Sequence, residues 1–186
     1  MAIEAAIEIL ESEGLNALST RKVAKQIGYT VGTLYLVFKN LDELILEINA
    51  ATLDELHTQL NQQSGANKSP QQYLKNMALA YLHYAQQHNA RWSLLFSHKL
   101  PDGVPVPQWF EQKVTEVFVN VQQPLKHIRS DLTEQQSLQA SRELWSGVHG
   151  ACDLGLNGKL SFGVEFKPEA LIESLIENYL TGYAKQ

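Results

Sequence analysis

A glycine at position 28 divides two short apolar-periodic segments, and that break constrains the fold more than any other feature of the chain. Upstream, Ser19 or Thr20 is placed to cap a helix, its hydroxyl accepting a free backbone N–H of the first turn. Val23 and Ile27 then fall four apart on one face with Ala24 beside them. Gly28 follows directly, where helices commonly end in the left-handed conformation. Thr30 offers a second cap, and Leu34 and Phe38 supply the buried face of the next short helix, leaving Val31, Gly32, Thr33, Tyr35 and Leu36 to face elsewhere. Two short helices around a tight turn, with a longer helix after them, form the helix-turn-helix layout, whose second helix can lie in a DNA major groove. The same spacing also fits a plain three-helix core. Gly32 costs about 1 kcal/mol relative to Ala inside a helix, which makes sense where a bulky neighbour such as a phosphate backbone must come close.

These residues resemble, position by position, the DNA-binding domain of the TetR family of transcriptional regulators. Gly14, Thr20-Arg21, Val23-Ala24, Gly28, Gly32-Thr33-Leu34-Tyr35 and Phe38-Lys39-Asn40 stand in the family's order and spacing. The resemblance implies that Thr20, Arg21, Thr33, Tyr35 and Lys39 touch DNA, mostly its phosphates, and that Val31, Gly32 and Leu36 lie nearest the base edges. The apolar character of that second group suggests contact with thymine methyls, or shape readout, in place of bidentate hydrogen bonds. The chain departs from the family at three points: Leu41 where a Lys is usual, Leu36 where an aromatic is frequent, and no basic lead-in before the first helix. Residues 1–50 carry Arg21, Lys22, Lys25 and Lys39 against Glu4, Glu8, Glu11, Glu13, Asp42, Glu43 and Glu47. An acidic domain exerts little long-range pull on DNA, so affinity must rest on a few placed cations and helix N-termini. These departures support the competing expectation, a dimeric ligand-binding or interaction protein with little operator affinity.

At 186 residues the chain holds one sizeable core, or a small domain joined to a larger one. A net charge of −5 argues against a general basic coat for nucleic acid and leaves a local reading head open. The single Cys152 rules out an intrachain disulfide and fits a reducing compartment. No apolar run approaches the ~18 residues of a membrane span, and no charged-then-apolar leader opens the sequence, so a cytoplasmic location without membrane contact is expected.

Beyond the head nearly everything reads as helix, and the expected fold class is all-α. Asn40 with Glu43 resembles a capping box opening a long helix towards Gln63. Ser64–Pro70 is a polar breaker. Helices are expected from Pro70 to His88, around Arg91–Ser97, and from Gln108 to about Arg129, the last kinked or interrupted at Pro124. The Pro-rich stretch Lys99–Pro107 reads as a loop. Thr133 and Gln136 form a second capping box for a helix towards Leu154, Gly155–Phe166 is irregular, and Pro168 opens the last helix, to about Ala184. We expect residues 1–46 to form the head and 47–186 a ligand-binding and dimerisation body.

The final helix carries Leu171, Ile172, Leu175, Ile176, Tyr179, Leu180 and Tyr183, a stripe wider than one-sided packing needs. The helix before it has Ala140, Leu144, Gly147, Ala151 and Gly155, small residues that permit close approach. Leu144, Gly147, Ala151, Leu171, Leu175, Ile176 and Tyr179 are therefore expected at a homodimer interface of four helices, although an ordinary intramolecular core explains the same pattern. Trp145-Ser-Gly-Val-His149-Gly150 resembles the Trp…His-Gly signature of the WHG class of TetR C-terminal domains, which implies a small-molecule pocket. Trp145 and His149, four apart, stack on one face. His149 reads first as a core or interface histidine bonded to a carbonyl, next as a ligand contact, and last as a metal ligand. Candidate effector-binding residues are Met77, Tyr81, Tyr84, Trp92, Phe96, Trp109, Phe110, Phe118, Trp145 and His149, apolar walls with a few polar tips that suit a largely apolar or aromatic effector. His83 and His88 are five apart, so the two-histidine zinc spacing is absent. Cys152 near His149 has neither an orienting acid nor an oxyanion hole in view. The reading is a non-enzymatic, cofactor-free regulator whose partners are a palindromic DNA operator, a small effector and a second copy of itself.

Overall fold

The computed structural model describes residues 1–62, 69–160 and 167–185, and among these every regular element is helical. The helices are α1 (Ala2–Glu13), α2 (Thr20–Gln26), α3 (Val31–Tyr35), α4 (Leu41–Asn61), α5 (Pro70–Gln87), α6 (Asn89–Ser97), α7 (Gln108–Ile128), α8 (Glu134–Leu156) and α9 (Pro168–Tyr183), with a short 3₁₀ turn at Leu15–Ala17. They divide into two compact units. Met1–Glu55 and Gln87–Lys113 form the first, Leu56–Gln86 and Val114 onward the second.

In the first unit the sequence punctuation acts as expected. Gly14, at φ 83°, ends α1 with its N–H on Leu10. Ser19 caps α2 through its Oγ, which accepts from the Lys22 N–H at 3.2 Å. Gly28, at φ 74°, closes α2 in a Schellman arrangement: its N–H reaches Lys25 and the Tyr29 N–H reaches Ala24. Thr30 caps α3 by accepting from the Thr33 N–H at 3.1 Å. Helix α3 is short, and Phe38 packs from the turn after it, whose Phe38 and Val37 N–H groups both return to the Leu34 carbonyl. Ala6, Ile9, Leu10, Val23, Ala24, Leu34, Phe38, Leu44 and Ile48 form one sealed core, which also takes in Leu94 of α6. Asn40 caps α4 at the Glu43 N–H, but the Glu43 carboxylate passes the cap residue and accepts from Lys39 N–H at 2.6 Å. The expected capping box is thus displaced by one residue.

Helix α6 is fixed to this unit by charge as well as by Leu94. Arg91 is buried, with Nε 2.9 Å from Glu11 of α1 and Nη2 2.6 Å from Glu55 of α4. His88 adds Nδ1 to the same Glu11 at 2.9 Å, and His98 lies 2.9 Å from Asp42 in the first turn of α4.

In the second unit, the Thr133 and Gln136 capping box forms in full. Of the kink or interruption expected at Pro124, the interruption does not occur, since α7 runs through it. Helix α8 runs two residues beyond the expected end, through Gly155 and Leu156, because Asn157 N–H and Nδ2 both satisfy the Asp153 carbonyl there. Pro168 takes the first turn of α9 as expected. Helices α8 and α9 pack together. A Cβ on Gly147 would lie 3.0 Å from Leu175, and one on Gly155 would lie 2.9 Å from Pro168. Most of the expected 64–70 breaker and the 161–166 part of the irregular stretch lie outside the described residues.

Candidate functional site

Two places concentrate the expected functional residues. The first is the surface of the first unit around α3. Gly32, Thr33, Tyr35, Leu36 and Lys39 are exposed there, as is Arg21 at the start of α2, while Thr20 and Val31 are half-buried. Leu36 keeps 87% of its surface and Val37 67%, unusual for aliphatic side chains beside a closed core. Tyr35 is half exposed, and its hydroxyl lies 3.3 Å from Thr20 Oγ1, which ties α3 to α2. Lys39 extends into solvent with its ammonium 3.5 Å from Glu43. Lys22 pairs with Glu13, and Gln26 donates to Glu8 at 2.7 Å, so α1 holds the inner edge of α2. A Cβ added to Gly32 would meet only Thr30 Oγ1, at 3.7 Å. Among the described residues nothing requires glycine at that position.

The second place is a cavity within the second unit. Its lining comes from α4 (Leu60), α5 (Leu74, Met77, Ala78, Tyr81), α7 (Val117, Phe118, Val121), α8 (Leu144, Trp145, Val148) and α9 (Ile176). The wall is apolar throughout, and the cavity, partly open to solvent, has a volume of about 40 Å³. Beside it, Trp145 stacks on His149 at 4.9 Å and 23°, with Phe118 edge-on to Trp145 at 5.4 Å. The Tyr81 hydroxyl lies 2.9 Å from His149 Nδ1. One partner of the histidine is therefore the Tyr81 phenol. Burial holds the His149 imidazole below its ordinary pKa, against a weaker opposing pull from Asp153, so it is neutral at neutral pH.

Of the expected effector contacts, the structure brings Met77, Tyr81, Phe118 and Trp145 to the cavity wall and His149 beside it. Tyr84 is buried in the second unit but is not in the lining. Trp92 and Phe96 belong to the first unit, where they pack edge to face at 5.3 Å, as do Trp109 and Phe110 at 5.7 Å. The aliphatic half of the wall escaped sequence reasoning, because its helical period is that of any core residue. Among the expected interface residues, Leu144 and Ile176 line the cavity, and Gly147 is occupied by Leu175 of the same chain. Ala151 is buried, Leu171 is half-buried, and Tyr179 donates to the Ala140 carbonyl at 3.1 Å.

Cys152 is buried and its thiol is pushed up to about 12, which leaves it protonated and unreactive. His98, His127 and His149 have separate partners in Asp42, the Gln123 carbonyl and Tyr81. Among the described residues no cluster of three or more His, Cys, Asp or Glu side chains could hold a metal ion. No helix among them is long and apolar enough to cross a membrane.

Comparison with known proteins gives these surfaces a context. Residues 2–48 match the family model for bacterial regulatory proteins of the tetR family, and residues 74–179 match the tetracyclin repressor-like C-terminal domain. An uncharacterized HTH-type transcriptional regulator of Mycobacterium tuberculosis is 28% identical over 158 residues, 84% of this chain and 69% of that protein. The class D tetracycline repressor of Escherichia coli is 36% identical over 83 residues, 42% of this chain and 35% of the repressor. Two solved structures share the fold. A protein of unknown function from Rhodococcus has a TM-score of 0.80 at 16% identity, covering 97% of this chain and 92% of that one. A TetR variant from Acinetobacter baumannii, solved with minocycline, has a TM-score of 0.69 at 19% identity, covering 99% and 94%. With both halves of the sequence matched and an all-helical fold carrying a helix-turn-helix, the chain belongs to the TetR family of DNA-binding transcriptional regulators.

Proposed function

We propose that the protein is a cytoplasmic, homodimeric repressor that a small, largely apolar or aromatic effector releases from a palindromic operator. Residues 1–46 would serve as the reading head, with Thr20, Arg21, Thr33, Tyr35 and Lys39 on phosphates and Val31, Gly32 and Leu36 at base edges. Residues 47–186 would bind effector and partner. The observation that carries this reading is the exposed face around α3, where open space at Gly32 adjoins the solvent-facing Tyr35 and Leu36.

The effector class is supported by the cavity wall, which has no charged side chain. A buried carboxylate or ammonium would go unpaired there, at a cost of several kcal/mol. Tyr81 and His149 supply the single polar tip. The cavity's 40 Å³ is far below the ~300 Å³ at the lower end of ligand pockets. Effector entry therefore requires the flexible Met77 and the half-buried Phe118 to repack. Trp145…His149-Gly150 supports a body of the WHG class, with the Trp145–His149 stack at the ligand's edge. Dimerisation through α8 and α9 is supported by open glycines at 150 and 182, where an added Cβ would meet nothing, and by the exposed Leu154. Effector and operator would each weaken the other's binding by the same factor.

Selection of random duplex DNA by the purified protein at low and moderate salt tests the proposal. The expected outcome is an enriched palindrome whose half-sites lie about one helical turn (~34 Å) apart. Failure to enrich any motif would sink it and favour the ligand-binding protein without operator affinity.

A further inference from the structure

From Gly28 to Val37 the chain contains no Arg, Lys, Asn, Gln, Asp, Glu or His. Bidentate recognition of guanine or adenine needs just those long polar side chains, so α3 and its flanks cannot supply it. Of the segment's four hydroxyls, those of Thr30, Thr33 and Tyr35 are engaged within the head, and the fourth belongs to the exposed Tyr29. Thr30 Oγ1 accepts the Thr33 N–H and lies 2.9 Å from Thr33 Oγ1, while the Tyr35 hydroxyl lies against Thr20. On α2, Gln26 and Lys22 are held by Glu8 and Glu13. The side chains it exposes most are hydrocarbon, Leu36 at 87% and Val37 at 67%, ahead of the half-exposed Tyr29 and Tyr35. The major groove displays one apolar group, the C5 methyl of thymine.

We infer that this head reads its operator mainly through thymine methyls, with Leu36 as the principal specificity-determining residue. The inference rests on the operator-binding role proposed above. Its occupant is the major groove of duplex DNA with a thymine at a fixed step in each half-site, drawn in by Arg21, Lys25 and Lys39, with no acidic residue between Ser19 and Asn40 to oppose it. Contact between Leu36 and the methyl removes apolar surface of both from water.

The test uses the full chain and the operator obtained by selection, resynthesised with deoxyuridine in place of thymidine at one symmetric step at a time. Uracil keeps every hydrogen-bonding group and lacks only the methyl. At the step facing Leu36, affinity is expected to fall about fourfold per half-site and about 15-fold for the symmetric pair, from one buried methyl each. A 5-methylcytosine at that step should bind tighter than cytosine by the same factor. Leu36→Ala, at an exposed position that does not threaten the fold, should abolish the penalty at that step and leave the others unchanged. Indifference to uracil at every step, or an undiminished penalty in the L36A variant, overturns the inference while leaving operator binding intact. A selection that enriches no duplex overturns the operator role and this inference together.

Discussion

Gly32 separates what the fold needs from what DNA binding needs, so Gly32→Ala is the most discriminating single substitution. The position is exposed, its φ is not positive, and an added Cβ meets only Thr30 Oγ1 at the ordinary distance of 3.7 Å. Alanine therefore fits the free protein without displacement. It also improves helix propensity by up to about 1 kcal/mol, less at the second residue of so short a helix. For a chain of this size that corresponds to a rise of roughly 0–4 °C in Tm. In the proposed operator complex the same methyl would sit where the head approaches the duplex. Pushing it back costs about 1–3 kcal/mol if the misfit resembles overpacking elsewhere, or some 5- to 150-fold in Kd. Thermal melting and fluorescence-anisotropy titration of the selected duplex thus move in opposite directions, stability level or up and affinity down. A Gly32→Ala protein that binds as tightly as wild type would refute the close approach of α3. A Tm lower by several degrees would refute the open space read at Gly32.

The other perturbations address the supports. Arg91→Ala leaves Glu11 and Glu55 without their shared guanidinium; both carboxylates are about one-third exposed, which limits the loss to about 2–3 kcal/mol, measurable by urea denaturation. A loss under about 0.5 kcal/mol would show that Leu94 alone holds α6. His149 has a folded pKa lowered by burial, so on acidification the unfolded chain takes up the proton first. Its contribution to stability is then fully present above about pH 6.5 and lost as pH falls below that value. His149→Gln, which can still bond Tyr81, should show a shallower acid-side loss of stability than wild type, and equal slopes would contradict the burial. Cys152 should resist an aromatic disulfide reagent at pH 8 in the native state and react fully in denaturant, whereas rapid native labelling would show that the α8 face opens.

Short-range features were legible in the sequence because their physics is local. Ser19, Thr30 and Thr133 cap through hydroxyls three residues from their targets, Gly28 supplies a positive φ, and Pro168 needs no donor in the first turn of α9. Asn40 was legible only in part, since whether Glu43 reaches back three residues or four depends on the turn geometry ahead of it. Long-range features were not legible. Nothing near Arg91 indicates that its partners are Glu11 and Glu55, or that α6 folds with the helix-turn-helix. The cavity was found through its aromatic residues, and that bias also drew in Trp92, Phe96, Trp109 and Phe110, which pack in the other unit. Leu74, Val121 and Val148 line the void with the period of any buried helix face. Periodicity reports which side is inward and says nothing of whether the space there is filled.

The acid excess of the head is a different matter, because a count of charges ignores where they stand. Every acidic residue in positions 1–50 lies on α1 or α4, and none lies between Ser19 and Asn40, where Arg21, Lys22, Lys25 and Lys39 are found. Several of those acids also have structural partners. Glu8 holds Gln26, Glu13 holds Lys22, Glu11 holds Arg91 and His88, Asp42 holds His98, and Glu43 meets the Lys39 backbone. They tie α2 to α1, and α1 and α4 to α6. At physiological salt the Debye length is about 8 Å, so a phosphate at the α3 surface responds to the charges beside it more than to the sum over the domain. The cost of the acids falls on long-range steering, and hence on the association rate. Under the proposed reading, contact affinity would depend instead on the acid-free stretch from Ser19 to Asn40, and an acidic domain is on that basis compatible with a DNA reader.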